Sequence, residues 1–238
     1  MRGAASKPAE FAIRAPFPCG VTFRVNCGYG RRAHRRVRYR HSTNDYYAID
    51  LTRVDGDGGF KEPIVAVAPG VVRKAGWARR GWAPYGKLVY IEHDFRDREG
   101  QRYQSLYAHL RTVRVRPGQR VAAGTVIGTM GGSSRGRYRR FGPHLHFAMY
   151  RGAHRYMGGG QALVPEPLGH YENLRRGKVM EACGRPDRRL VLLETDEGLD
   201  LAVGGLDPVD LPRPRRLTPP ATLRRLVLPS PTVDPLED

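Results

Sequence analysis

The stretch GPHLHFAMY, Gly142–Tyr150, reads as a strand entered through a Gly-Pro turn. Successive side chains of a strand point to opposite faces, so His144 and His146 share one face and Leu145 and Phe147 take the other. Two imidazoles on one face approach one small volume, and neutral imidazole is a good zinc ligand. The spacing alone fits equally well with two histidines lining a polar sheet face.

The chain around this stretch has the same texture. From Asp45 to Tyr150 it is a string of short runs rich in Val, Ile, Tyr and Phe: YYAIDL, PIVAVAPGVVRKAGW, KLVYIEHDF, RYQSLYAHL, TVRVRPGQRV, TVIGTMGG and HLHFAMY. Gly and Pro punctuate the runs about every ten residues, and no helical period is present, which is the pattern of an all-β antiparallel sandwich or barrel. Residues 1–15 read as an irregular leader, 16–182 as the β-rich domain, 183–205 as a hairpin extension turning at Asp196, Glu197 and Gly198, and 206–238 as a Pro-rich, disordered tail. The basic block GYGRRAHRRVRYRH, Gly28–His41, has neither an apolar period nor caps and reads as a loop.

Composition narrows the class. The 238 residues suffice for one ordinary domain with appendages. No apolar run approaches the roughly 18 residues of a membrane span. The N-terminal stretch has no apolar core of a signal peptide. The formal charge of +18 suits contact with polyanions such as nucleic acid, anionic lipid or acidic wall polymer. Yet 36 of the 41 basic residues are Arg, a skew that Arg-biased coding also produces. The arginines are scattered or in loops and no nucleic-acid motif appears, so specific nucleic-acid binding is not expected. The alternating stretch CGVTFRVNC admits a Cys19–Cys27 disulfide, which would leave Cys183 over and imply an oxidising compartment; three buried thiols are the other possibility.

Two further positions stand out. In LYAHLRTV, strand alternation places Tyr107 and His109 on one face, with Leu106, Ala108 and Leu110 on the other. Asp50 lies between Ile49 and Leu51 in a β run, where a carboxylate is costly unless it is paired or holds a metal. Two histidines, an aspartate and an open coordination position would make a catalytic rather than a structural zinc site.

Four stretches, in order, resemble the lysostaphin-type (LytM-like) zinc metallopeptidases, which cut peptidoglycan peptides. They are HSTNDYYAIDL; PIVAVAPGVVRKAGW; YGKLVYIEHDF with YQSLYAHL; and VRPGQRVAAGTVIGTMGGS with GPHLHFAM, and the match runs from about residue 16 to 150. The resemblance implies an antiparallel β fold with a groove and one Zn2+ on its floor. It implies His41, Asp50 and His146 as zinc ligands, with His109 and His144 beside the metal-activated water as general base, water-orienting group and oxyanion stabiliser. It also implies a peptidoglycan peptide as substrate, anionic wall polymers as possible partners, and an extracellular, periplasmic or wall-associated location. The family's first histidine commonly stands four residues before the aspartate, where this chain has Tyr46; His41 is nine residues before Asp50, and His34 is the second choice. The loop GGSSRGRYRRFGPH carries four arginines, Arg135, Arg137, Arg139 and Arg140, either solvated or in contact with acidic substrate groups.

Other classes account for less. A catalytically inactive module on the same fold, binding the wall or regulating another wall hydrolase, is the main alternative. A lipoyl or biotinyl carrier would explain VRPGQRVAAGTVIGTM but needs a lysine at a hairpin tip, which these strands lack.

Overall fold

The computed structural model describes residues 6–29, 45–152, 160–184, 190–195 and 198–203, the last two stretches by backbone alone. The chain divides into two compact units, residues 1–187 and 188–238. The expected tail at 206–238 and the basic block beyond Tyr29 lie outside the described residues.

The first unit is all-β. Helical structure among the described residues is confined to two 3-10 segments, Asp45–Tyr47 and Arg80–Tyr85. The central strand is β10 (Leu145–Arg151), paired antiparallel with β2 (Ile49–Arg53) on one side and β6 (Arg102–Leu110) on the other. Beyond β2 come β1 (Thr22–Cys27) and β12 (Val179–Glu181); beyond β6 come β5 (Lys87–Arg96), β4 (Gly70–Trp77) and β8 (Arg120–Val121). A short β11 (Gln161–Leu163) pairs with the far end of β10. A separate three-stranded sheet joins β3 (Pro63–Val65), β9 (Val126–Thr129) and β7 (Thr112–Val113) in that order. In the second unit, β13 (Leu190–Thr195) and β14 (Gly198–Val203) form an antiparallel hairpin.

Period-two patterning builds two cores on the two faces of the large sheet. Leu145, Phe147 and Met149 of β10, with Ile49 and Leu51 of β2, enter the larger one. Ile64 and Ile127 of the small sheet join it, as do Phe11, Ile13 and Phe17 from the N-terminal segment. That segment is irregular in backbone, yet its apolar side chains are buried. The opposite face carries Ala148 and Tyr150 with Leu106, Ala108 and Tyr85. Fully burying a side chain such as Phe147 contributes on the order of 2–3 kcal/mol by area.

The YY of YYAIDL is not strand. Asp45–Tyr47 turns as a 3-10 segment, and the strand begins at Ile49, where alternation starts to bury Ile49 and Leu51. The cysteine pairing also differs from expectation. Cys19 is bonded to Cys183 with Cα atoms 4.9 Å apart, and Cys27 stays outside the bridge. The six extended residues of β1, rising about 3.3 Å each, carry Cys27 far beyond disulfide reach of Cys19. Antiparallel β12 ends next to the start of β1 and so delivers Cys183 instead. No helix among the described residues is long and apolar enough to cross a membrane.

His93 is a structural histidine. Its Nδ1 donates to the Pro69 carbonyl at 3.1 Å, and its Nε2 meets Ser105 Oγ at 2.8 Å. Ser105 Oγ in turn lies 3.1 Å from the Tyr107 hydroxyl, which accepts from the Val67 amide. Burial lowers its pKa to about 4, against the smaller opposing effect of its backbone carbonyl contacts. The folded pKa is below the unfolded one, so the unfolded chain binds the extra proton between about pH 6.5 and 4. Stability should therefore fall as pH drops through that window, with His93 contributing up to about 1.4 kcal/mol per pH unit. Urea unfolding at pH 7, 6 and 5 checks this: the His93→Gln variant should show a shallower pH slope than wild type, and an unchanged slope would remove His93 as the cause.

Candidate active site

The site grows from one register. In the β2–β10 pair, His146 lies directly opposite Asp50, and the side chains of both leave the sheet on the face away from the larger core. His146 Nδ1 and Asp50 Oδ1 are 3.1 Å apart. His144, just before β10, is held by an isolated bridge to Gly131 and adds its ring to the same face. The ring centroids of His109 and His144 are 4.6 Å apart, and those of His109 and His146 are 5.8 Å apart.

His109 reaches this face by breaking alternation. Along β6, Leu106 and Ala108 sit in the groove-side core and Tyr107 in the larger one. Simple alternation would send His109 with Tyr107, as expected from sequence. Instead His109 adopts φ 62°, a left-handed conformation uncommon for a residue with a side chain. The ring thereby joins His146, and Leu110 turns into the larger core. Such strain persists only where surroundings over-determine it. Here they do: Ser133 N donates to the His109 carbonyl at 3.3 Å, and Ser133 O accepts from His109 Nδ1 at 2.8 Å. Ser133 is itself fixed, its Oγ accepting from Lys87 N and donating to the Leu110 carbonyl. Two glycines admit this loop. A Cβ on Gly86, which has φ 64°, would lie 2.1 Å from Ser133 O, and one on Gly132 would lie 2.0 Å from Phe141 O.

These contacts fix tautomers. A carbonyl only accepts, so His109 Nδ1 carries its proton toward Ser133 and its Nε2 is left bare. His144 Nδ1 likewise donates, to the Gly142 carbonyl at 2.9 Å. Burial first, then the neighbouring His144 and His146, push the His109 pKa down to about 3, so its ring is neutral at physiological pH. His146 goes the other way. Burial opposes its charge, but Asp45 and Asp50 outweigh that and raise its pKa to about 10. Asp45 was not among the residues singled out from sequence. It is buried at 3% exposure, accepts from the Tyr85 and Tyr150 hydroxyls at 2.5 and 3.0 Å, and stands 3.6 Å from His146 Nε2.

The donor pair fits a metal. Two ligand atoms each about 2.1 Å from a tetrahedral zinc lie about 3.4 Å apart, close to the separation of His146 Nδ1 and Asp50 Oδ1. Among the described residues no group of three or more His, Cys, Asp or Glu is placed to hold a metal. His41, the expected third ligand, and His34, the second choice, lie outside the described residues. Tyr46 is 44% exposed, with its ring edge-on to Tyr47. His170 stacks on Tyr171 and is not part of this cluster.

A cavity of about 520 Å³ opens beside Asp50 and His144, lined also by Arg24, Arg53 and Phe141. Phe141 packs its ring on His109 at 5.1 Å. Farther along the loop, Tyr138 is flanked by Trp77, Lys87 and Arg111, and Arg139 lies over Phe60. Among the described residues, no carboxylate is within ion-pair distance of Lys87, Arg111 or Arg139.

The structure thus sets histidines and an aspartate on one face of an antiparallel sheet. Residues 48–158 match Peptidase family M23. The Lipoprotein NlpD/LppB homolog of Pseudomonas aeruginosa is 36% identical over 41% of this chain and 28% of its own length. The Peptidoglycan DD-endopeptidase ShyC of Vibrio cholerae is 38% identical over 36% of this chain and 16% of its own. The Murein hydrolase activator NlpD of Escherichia coli is 39% identical over 42% and 23%. The chain thus spans less than a third of the length of these curated relatives. Among solved structures, the catalytic domain of lysostaphin from Staphylococcus simulans superposes with a TM-score of 0.39 at 21% identity, covering 65% of this chain and 86% of that one.

The glycine-serine loop gives a test of the scaffold. Gly132→Ala should destabilise the fold by at least about 1–3 kcal/mol through overpacking, because its methyl would meet backbone rather than a movable side chain. Thermal unfolding of Gly132→Ala beside Gly142→Ala controls for glycine removal, since a Cβ at Gly142 meets nothing within 4 Å and neither glycine has a positive φ. Equal losses in the two variants would show that the backbone contact at Gly132 does not dominate.

Proposed function

We propose that the protein is a zinc-dependent endopeptidase that hydrolyses peptide bonds in bacterial cell-wall peptidoglycan. The observation that carries this reading is the convergence of Asp50, His146, His109 and His144 on one sheet face beside an open cavity. Asp50 and His146, with His41 as third ligand, would hold the ion. When bound, zinc supplies Lewis acidity that polarises a peptide carbonyl and acidifies water.

The remaining chemistry belongs to the chain. His109, neutral and with a bare Nε2, orients the attacking water by accepting its hydrogen bond. Its pKa near 3 makes it a weak proton carrier at neutral pH. His144, half-buried and held through Nδ1 by the Gly142 carbonyl, is the group placed to take the water's proton through Nε2 and return it to the leaving amine. The cations around Tyr138 and Phe60 suit a peptide with acidic groups and association with anionic wall polymers. The Cys19–Cys183 bridge supports an oxidising, extracytoplasmic setting.

A second reading has its own support: one of the three curated relatives described above is a murein hydrolase activator, and Tyr46 stands where the shorter-spaced histidine would be. In that reading the domain binds the wall and regulates another hydrolase. Zinc content and release of peptides from purified peptidoglycan separate the two. Wild type should carry one zinc and be active. Asp50→Ala, His146→Ala and His41→Ala should lose both metal and activity, while His34→Ala should keep them. His109→Ala and His144→Ala should keep zinc and lose about 10²–10⁴ in kcat. A wild type without zinc or lysis would favour the regulator.

A further inference from the structure

Asp45 is an expensive residue for a protein to bury. An ionised carboxylate at 3% exposure must be matched by donors, and this one is given two tyrosine hydroxyls from different elements, Tyr85 in the second 3-10 segment and Tyr150 in β10. Its third neighbour is His146 Nε2, at 3.6 Å from Oδ2. The two nitrogens of His146 therefore face two different carboxylates: Nδ1 faces Asp50 on the cavity side, and Nε2 faces Asp45 on the buried side. The cavity is lined by Asp50 and not by Asp45.

We infer that Asp45 is a positioning residue for His146: its buried carboxylate, facing Nε2, holds the ring's proton on that nitrogen and so leaves Nδ1 as the atom presented, beside Asp50, to a metal. The inference rests on the reading that His146 and Asp50 hold zinc. The chemistry follows from the imidazole. A ring that ligates through one nitrogen carries its proton on the other, and a carboxylate at that proton fixes both the tautomer and the ring plane and makes the ligand more basic. The tyrosines hold the carboxylate in place, so the chain of contacts runs Tyr85 and Tyr150 to Asp45, Asp45 to His146 Nε2, and His146 Nδ1 to the site. Asp45 sits one turn before β2, so the same short segment supplies a ligand at Asp50 and the group that orients the other ligand across the sheet.

The test is zinc affinity by chelator competition, with thermal unfolding to verify folding and nitrogen NMR of His146 to read its tautomer. Asp45→Asn should remain folded, bind zinc about 10–100-fold more weakly, and lose the single Nε2-protonated, Nδ1-ligated state of His146 expected of zinc-loaded wild type. Tyr150→Phe and Tyr85→Phe, each removing one donor to Asp45, should show the same direction with smaller loss; they carry the test if Asp45→Asn does not fold. Wild-type affinity and tautomer in all three variants would overturn the inference while leaving the zinc reading intact. A loss in Asp45→Asn as deep as in Asp50→Asn would overturn it differently, by making Asp45 a ligand. Wild type that binds no zinc would remove the proposed function and this inference together.

Discussion

The pairing of β2 with β10 is the constraint on which the rest depends. It sets Asp50 opposite His146 and, in the same stroke, sends Ile49, Leu51, Leu145 and Phe147 into the larger core. Because side chains alternate, a slip of one residue would carry the apolar set out of the larger core and the polar pair into it. Core packing therefore enforces the site: four fully buried apolar side chains penalise any register that would part the aspartate from the histidine.

The two histidines that flank this pair are placed by other means. His144 comes from the loop before β10, and His109 comes from a strand that would have turned it inward. The local reversal at His109 is maintained by Ser133, and Ser133 by the close approach of Gly86. The glycine-serine loop is thus part of the site's support. Sequence shows such a loop as Gly and Ser in a row; it does not show that the loop grips a histidine ring.

Much of the fold was legible in sequence because period-two patterning is local. The β runs, the shared face of His144 and His146, and the inward course of Leu145 and Phe147 all follow from alternation, and the resemblance to lysostaphin-type peptidases was visible in four ordered stretches. What was not legible depends on contacts between distant segments. The partner of Cys19 lies 164 residues away, beside a strand whose pairing no local pattern announces. His109's face depends on a backbone angle set by residue 133. Asp45 carries no pattern of its own in the sequence, and only the meeting of Tyr85, Tyr150 and His146 around it gives it a role. The signal available was two aspartates five residues apart in a β-rich stretch, which says nothing of burial.

The Cys19–Cys183 bridge closes a covalent ring that contains every strand of the first unit. The exposed arginine-rich loop between Ser134 and His144 lies inside that ring. A protease that recognises basic residues would find its cut sites there, yet a single cut would leave the two pieces tied at the base of β1 and β12.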